Sequence, residues 1–476
     1  MVGKESLEVA NFSMNVRRKY SRILCVRIWN FAWRISIVLK KDMRGVQHRN
    51  ADTFYGGMRV GMRKTRPFHS MAKPVGARCN LRCTYCYYLE KAEFYPHQAA
   101  SQTMSASLLE GYIRNYLAAT GDDDEVAFTW QGGEPTLAGL DFFKQAVALQ
   151  QRYGRGRRIT NSFQTNGLLL DDQWCRFFSA NGFLVGLSLD GPAHIHDAFR
   201  HTPSGGPSHA RVVHGLRLLQ KHQVAYNVLA CVNSQSASHP LEVYDFLRSE
   251  GVVFIQFIPI VERLEEASAT GQALHSPEKV AWPLEEARRH LTPWSVGSLE
   301  YGKFLTSIFD VWVKQDVGAV FVMNFEWALA NYMEQPGTVC HHQPTCGRSL
   351  VLEYTGEIFA CDHYVYPQFR RGNLLQTPLV DLVDAPEQEQ FGRDKYATLS
   401  DKCKRCPMLK GCWGGCPKHR FVQEVDEKGN TSYLCASYYH YFGHIVPRLK
   451  VLSQLLREGR PASEIMNTEF IYVFRQ

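Results

Sequence analysis

The sequence predicts an α/β fold, a partial (β/α)6 TIM-like barrel followed by a C-terminal Cys-rich domain. Three observations carry that expectation. Between residues 67 and 262, six short apolar runs alternate with longer amphipathic ones, the pattern of repeated βα units around a parallel sheet. Glycines, prolines and cysteines gather just after those apolar runs, where a barrel builds its site. Eight cysteines crowd into residues 340–440, where periodic patterning fades, as in a small domain folded around metal.

In chain order, the strands are expected at 68–74, 126–130, 159–164, 184–189, 226–232 and 252–259. Helical periodicity falls between them, near 105–119, 139–152, 171–181, 208–222 and 240–249. Right-handed crossovers curl such a sheet into a partial or complete barrel. Each strand end then carries unusual residues. Cys79, Cys83 and Cys86 follow strand one, and Gly132-Gly133-Glu134-Pro135 follows strand two. Gln164-Thr165-Asn166-Gly167 follows strand three, and Ser188-Leu189-Asp190-Gly191-Pro192 follows strand four. Any one of these reads as turn chemistry. Their convergence on one rim reads as a site. Residues 263–339 form a bridging segment, punctuated by Pro277, Pro283 and Pro293 and carrying a helix pair at 300–315 and 322–334. The Cys-rich domain spans 340–440, and 441–476 is a C-terminal helix and tail, helical over 440–459.

Composition excludes several classes. Of 476 residues, 45% are hydrophobic and 21% charged, ordinary globular values that rule out wholesale disorder. The longest apolar stretch, 23–39, is interrupted by Arg27 and Arg34, so no transmembrane segment is expected. The net charge of +8 is local: residues 1–66 hold 15 Lys/Arg against 4 Asp/Glu, and the remainder 39 against 42. No basic stripe with interleaved aromatics is present in that body, so a nucleic-acid partner is not expected. Residues 1–66 read as a basic N-terminal extension with three readings: a membrane-surface amphipathic helix over 23–39, an Arg-rich organelle targeting peptide or, preferred, an untranslated upstream stretch with the real start at Met58 or Met62. Clustered cysteines without a secretory signal point to metal in a reducing compartment, the cytoplasm.

Cys79-x3-Cys83-x2-Cys86 offers three thiolates within eight residues. A structural zinc site takes four ligands, and so does an ordinary four-cysteine cluster. Three suggest a [4Fe–4S] cube with one iron left open, able to chelate the amino and carboxylate groups of S-adenosylmethionine. Tyr85 offers an aromatic face beside the last cysteine. The C-terminal set, Cys340, Cys346, Cys361, Cys403, Cys406, Cys412, Cys416 and Cys435, makes two sites of four. By ligand type alone, two [4Fe–4S] clusters and two zinc sites both fit. The run Cys403-x2-Cys406-x5-Cys412-x3-Cys416-x18-Cys435 matches no zinc ribbon. Cys25, Cys175 and Cys231 stand alone, the last two as small core residues.

With these motifs the chain resembles the radical S-adenosylmethionine superfamily and, over roughly 67–460, the anaerobic sulfatase-maturating enzymes with their SPASM module. Cys361-Asp362-His363-Tyr364, Cys340-x5-Cys346-x14-Cys361 and Gly414-Gly415-Cys416-Pro417 carry the narrower likeness. The resemblance implies S-adenosyl-L-methionine and three [4Fe–4S] clusters. It assigns Cys340, Cys346, Cys361 and Cys416 to one auxiliary cluster and Cys403, Cys406, Cys412 and Cys435 to the other. It implies that Gly133 and Glu134 receive the methionine amino group, that Ser188 and Arg200 hold its carboxylate and the ribose, and that Val261 flanks adenine. It makes Asp362 the catalytic base. By residue type alone Asp362 reads as a structural or surface carboxylate, and Arg200 as a surface arginine. His341, His342 and His363 fit donors beside a cluster or buried structural histidines equally well. Tyr87, Tyr88 and Tyr364 are expected to wall the substrate channel. The implied reaction is oxidation of a sulfatase Cys or Ser to formylglycine, with a sulfatase polypeptide as substrate and a flavodoxin- or ferredoxin-type electron donor. Two other readings stay open at this point: a thioether-crosslinking peptide enzyme, and a zinc-binding module without catalysis.

Overall fold

The computed structural model describes residues 66–94, 103–121, 123, 125–264, 280–335 and 339–468. Expectations for residues 1–65 and 265–279 lie outside the described residues. Six strands follow one another as β1 (His69–Lys73), β2 (Glu125–Trp130), β3 (Arg158–Thr165), β4 (Leu184–Ser188), β5 (Ala225–Val232) and β6 (Phe254–Pro259). Each pairs in parallel with the next. Helices Ala106–Ala119, Leu140–Tyr153, Asp172–Ala180, His209–Lys221 and Pro240–Ser249 make the crossovers. Local chemistry starts several of them. Ser105 Oγ accepts the Leu108 N–H at 3.2 Å, and Asp171 accepts the N–H groups of Gln173 and Trp174 at 2.9 and 2.8 Å. Pro240 occupies the first turn of its helix, where no N–H is needed. Between helices and sheet lies a dense aromatic core: Phe143 packs edge-on against Trp130 at 5.6 Å and against Phe163 at 4.9 Å.

The sheet continues at both ends. Beyond β6 lies the short β7 (Phe321–Val322). On the free side of β1 come β8 (Ser349–Glu353), parallel to β1, then β9 (Glu357–Phe359) and β10 (Arg370–Asn373), each antiparallel to its neighbour. One ten-stranded sheet results, in the order β10-β9-β8-β1-β2-β3-β4-β5-β6-β7. The sequence did not announce β8 to β10. They are short, and β8 meets β1 as His69 facing Ser349, a pairing with no local signature. Its consequence is positional. The last residues of β1 and β8, Lys73 and Glu353, face each other at the barrel rim. Beneath them a small apolar cluster of Tyr88, Val351, Phe359 and Val365 cements the two regions.

Helices Glu300–Gln315 and Met323–Tyr332 occupy the bridging segment at the expected places. The last helix, Cys435–Arg457, packs along the first of them. Gly302 permits that approach: a Cβ there would fall 2.5 Å from the Ser437 carbonyl oxygen. This helix begins at Cys435 rather than near 440, because the Cys435 N–H bonds the Ser432 carbonyl and Ser437 is bonded into Gly302 and Ser298. Among the described residues no helix is long and apolar enough to cross a membrane.

Candidate active site

Three loops meet at the C-terminal ends of β1 to β3. The cysteine loop after β1 lies against the glycine loop after β2, whose Gly133 and Glu134 N–H groups donate to the carbonyls of Gly76 and Arg78 at 2.7 and 2.9 Å. Only glycine fits there. A Cβ on Gly133 would lie 2.1 Å from the Arg78 carbonyl oxygen, and Gly132 sits at φ +129° with its Cβ position 2.9 Å from the Gly76 oxygen. Glu134 is fully buried and ties the glycine loop to the loop after β3. Its Oε1 accepts from Thr136 and the Thr165 hydroxyl, and its Oε2 accepts the Asn166 N–H at 2.7 Å. The Asn166 amide in turn donates to Cys79 Sγ at 3.7 Å. Burial pushes the Cys79 thiol up to about 12 and raises Cys83 and Cys86 as well; Cys83 also feels the sulfurs of Cys86 and Cys79, and Cys79 that of Cys86. Ligand thiols must lose their protons, which a bound metal drives and an empty apolar pocket opposes. The Gln131 Oε1 atom, on the residue before the glycine loop, is buried without a hydrogen-bond partner.

After β4, Asp190 becomes an acceptor hub that sequence reasoning passed over. Arg200 Nε and Nη2 bond its two oxygens at 2.8 and 3.0 Å, the Cys231 N–H adds a third bond at 2.9 Å, and the Tyr85 hydroxyl a fourth. Arg200 is therefore an anchored, buried arginine and not a surface one, with its guanidinium 5.4 Å from the Tyr85 ring centre. Tyr85 uses its hydroxyl on Asp190 and its ring against Arg200 and Phe199. Ser188 accepts from the Gln164 side chain at 3.0 Å, and Val261 is buried just past β6. Cys175 is a core residue as expected. Cys231 is not merely that, since its sulfur lies 3.6 Å from Arg200 Nη2.

Asp362, three residues past β9, arrives opposite the end of β1. Lys73 Nζ bonds and ion-pairs with Oδ1, and the Tyr87 hydroxyl donates to Oδ2 at 2.6 Å. Burial alone would raise this carboxyl, but Lys73 and these bonds hold it below its ordinary value. Lys73 Nζ also lies 3.5 Å from the Tyr88 ring centre, and the Tyr88 hydroxyl donates to Glu353, which burial pushes up to about 8. Of the three tyrosines expected to wall a channel, Tyr87 touches Asp362, Tyr88 is buried against Lys73, and Tyr364 packs edge-on between Phe369 and Phe391. His363 Nδ1 stands 3.4 Å from Cys416 Sγ, whereas His342 is buried against Tyr438 and Phe442, with His341 beside it.

The remaining cysteines fall into two groups. Cys340, Cys361 and Cys346 each feel the charge of Cys416, and Cys346 and Cys361 also feel Cys340. Cys412 feels Cys435 and Cys403, and Cys435 feels Cys403 and Cys406. Cys403, Cys406, Cys412 and Cys435 line one cavity of about 670 Å³ together with Met408 and Tyr438. Among the described residues no three His, Cys, Asp or Glu side chains converge as ligands of a single ion would. A cube takes each thiolate on a different iron, so its cysteines line a volume instead of a point. All-thiolate donor sets of this kind suit iron–sulfur groups.

Known proteins share the sequence pattern and the fold. The family described as "Radical SAM superfamily" matches residues 74–247, and the "Iron-sulfur cluster-binding domain" (SPASM) matches 340–407. A "Serine-type anaerobic sulfatase-maturating enzyme" of Bacteroides thetaiotaomicron is 42% identical over 84% of this chain and 95% of its own length. The chain belongs to the anaerobic sulfatase-maturating enzyme family. A "Cysteine-type anaerobic sulfatase-maturating enzyme" of Clostridium perfringens is 31% identical over 80% of this chain and 97% of its own. The solved structure "Native anSMEcpe with bound AdoMet and Cp18Cys peptide" superposes with a TM-score of 0.70 at 30% identity, covering 82% of this chain and all of that one. Within this radical S-adenosylmethionine fold, sequence reasoning missed Lys73, Asp190 and Glu353. A lysine closing an apolar strand and an aspartate inside the Ser188–Pro192 run were the available signals.

Proposed function

We propose that this chain oxidises a cysteine or serine side chain in a sulfatase polypeptide to formylglycine under anaerobic conditions, in the cytoplasm. The carrying observation is the Asp362 carboxylate, held ionised by Lys73 and Tyr87 where the cysteine loop meets the Cys-rich region. Cys79, Cys83 and Cys86 would hold one [4Fe–4S] cluster, Cys340, Cys346, Cys361 and Cys416 a second, and Cys403, Cys406, Cys412 and Cys435 a third. When bound, S-adenosylmethionine and the clusters supply a hydrogen-abstracting 5′-deoxyadenosyl radical and a sink for the electron the substrate loses. Gly133 and Glu134 orient the methionine amino group, Ser188 and Arg200 its carboxylate and the ribose, and Tyr85 and Val261 flank the cofactor. Asp362 takes the S–H or O–H proton of the substrate at a carboxylate oxygen, as a base within hydrogen-bond reach. Loss of the Cβ hydrogen, that proton and one electron leaves a thioaldehyde, which water converts to formylglycine, or the aldehyde directly from serine. A flavodoxin- or ferredoxin-type protein would deliver the initiating electron.

The test is anaerobic incubation with S-adenosylmethionine, reductant and a sulfatase-motif peptide carrying Cys or Ser, followed by mass spectrometry. The expected product is an aldehyde at that residue. A thioether crosslink without aldehyde would replace this reading with the crosslinking one.

A further inference from the structure

Among the described residues, two buried cations in the Cys-rich region meet no anion. Lys395, on the helix Pro386–Ala397, and Arg420 are 1% and 8% exposed, and among the described residues neither meets a carboxylate. Both are held by backbone carbonyls alone. Lys395 Nζ donates to the carbonyls of His341, Gln343 and Trp413. Arg420 donates from Nε to Gly414 at 3.0 Å, from Nη1 to Lys395, and from Nη2 to Trp413 and Gly415 at 2.8 and 3.4 Å. Three of these carbonyls belong to residues adjoining Cys340, Cys412 and Cys416, so the cations stand where the two cysteine groups meet. Arg420 acts on Cys403, Cys416 and Cys412, and Lys395 on Cys346, Cys340 and Cys416, members of both groups.

Two like charges in one dry space are costly unless an anion shares it. Eight neutral thiols supply none. Two groups of four thiolates around cubane iron do, because such a cluster carries net negative charge. The structure assigns Lys395 and Arg420 the role of a common counter-charge, set between the two auxiliary clusters, that helps retain both and raises their reduction potentials. This rests on the two-cluster reading above. Its physical content is that a fixed cation favours whichever state of a neighbouring cluster is more negative, the reduced one. An auxiliary cluster so placed accepts the substrate's electron more readily. Sharing the cations also makes each cluster sense the other's charge.

The experiment is an EPR-monitored redox titration, with iron and sulfide analysis, of the full chain carrying Cys79→Ala, Cys83→Ala and Cys86→Ala, so that only the C-terminal cysteines report. Lys395→Met and Arg420→Met are added singly and compared with Lys395→Arg and Arg420→Lys. Each neutral variant should lower the auxiliary midpoint potential by about 59 mV or more, a tenfold change in a one-electron equilibrium. The charge-keeping variants should stay near the parent. Neutral variants with full iron and an unmoved potential would overturn the inference. If a neutral variant loads no iron, loading becomes the readout: retention with Arg at 395 or Lys at 420 supports the counter-charge, and equal loss in both kinds overturns it. A parent with fewer than about eight irons would instead fail the two-cluster reading itself.

Discussion

Asp362 depends on donors from distant parts of the chain, and its chemistry follows from them. Lys73 closes β1, Tyr87 follows the cysteine loop, and both reach a carboxylate whose side chain is 20% exposed. Asp362→Asn keeps the shape and removes the carboxylate proposed to accept the proton. Peptide oxidation should then fall by roughly 10²–10⁴-fold while S-adenosylmethionine cleavage continues. Product analysis of both reactions in one assay checks this, and undiminished formylglycine would take Asp362 out of the reaction. Lys73→Met tests the partner. Stranding a buried carboxylate costs about 3 kcal/mol, the lower end for a broken buried pair because Asp362 keeps some contact with water. Adding Asp362→Asn to Lys73→Met should restore most of that loss, since the stranded charge disappears. Unfolding midpoints of the two single variants and the double decide it, and simply additive losses would refute the pairing. Asp362 was legible in the sequence only through its place after Cys361. Lys73 was not, because nothing local tells a buried lysine at a strand end from a surface one.

The elements β1 to β6 were legible because alternating apolar runs and capped helices are local signals, readable within about a dozen residues. The strands β8 to β10 were not, since what stabilises β8 is an edge of β1 far back in the chain. The loop after β4 shows a third case, local in sequence and visible only in contacts. His196 Nδ1 accepts the Asp190 N–H at 3.3 Å. Ser208 Oγ donates to the Arg200 carbonyl at 2.8 Å, so its contact with His196 Nε2 at 3.0 Å makes that nitrogen the donor. The ring is thereby fixed in its neutral form, and burial pushes its pKa down to about 3. A folded value below the unfolded one means that stability is intact above about pH 6.5 and falls as the pH drops from there toward about 3. The slope contributed is about 1.4 kcal/mol per pH unit. His196→Gln should remove that share of the acid sensitivity. Urea midpoints of the parent and the variant at about pH 7 and about pH 5 measure it, and parallel pH profiles would show that His196 does not titrate as argued.

At the scale of the whole molecule, barrel and Cys-rich region share one sheet, yet their cysteines sit in separate groups. The shared sheet predicts that a chain ending before residue 340 exposes the β8-facing edge of β1 and the apolar patch around Tyr88 and Met71. Such a chain should aggregate on expression instead of yielding a soluble barrel. A soluble, helical, monomeric product by light scattering would contradict that. The separateness of the sites makes the opposite prediction for ligand loss. Cys79, Cys83 and Cys86 hang from the loop after β1, braced by the glycine loop, whereas the other eight cysteines sit in the loops, short helices and final helix of residues 340–435. In the proposed assignment no thiol of the first group is a ligand in either of the other two. Replacing all three with Ala should therefore abolish S-adenosylmethionine cleavage and leave roughly eight of about twelve irons in place. The fold should survive, because these side chains are replaced by a smaller apolar group in a loop held by backbone bonds such as Gly133 N–H to the Gly76 carbonyl. Iron, sulfide and 5′-deoxyadenosine are measured on the same anaerobic preparation. Loss of all iron would mean that the clusters assemble as one unit, and that the division of eleven cysteines into three, four and four is wrong.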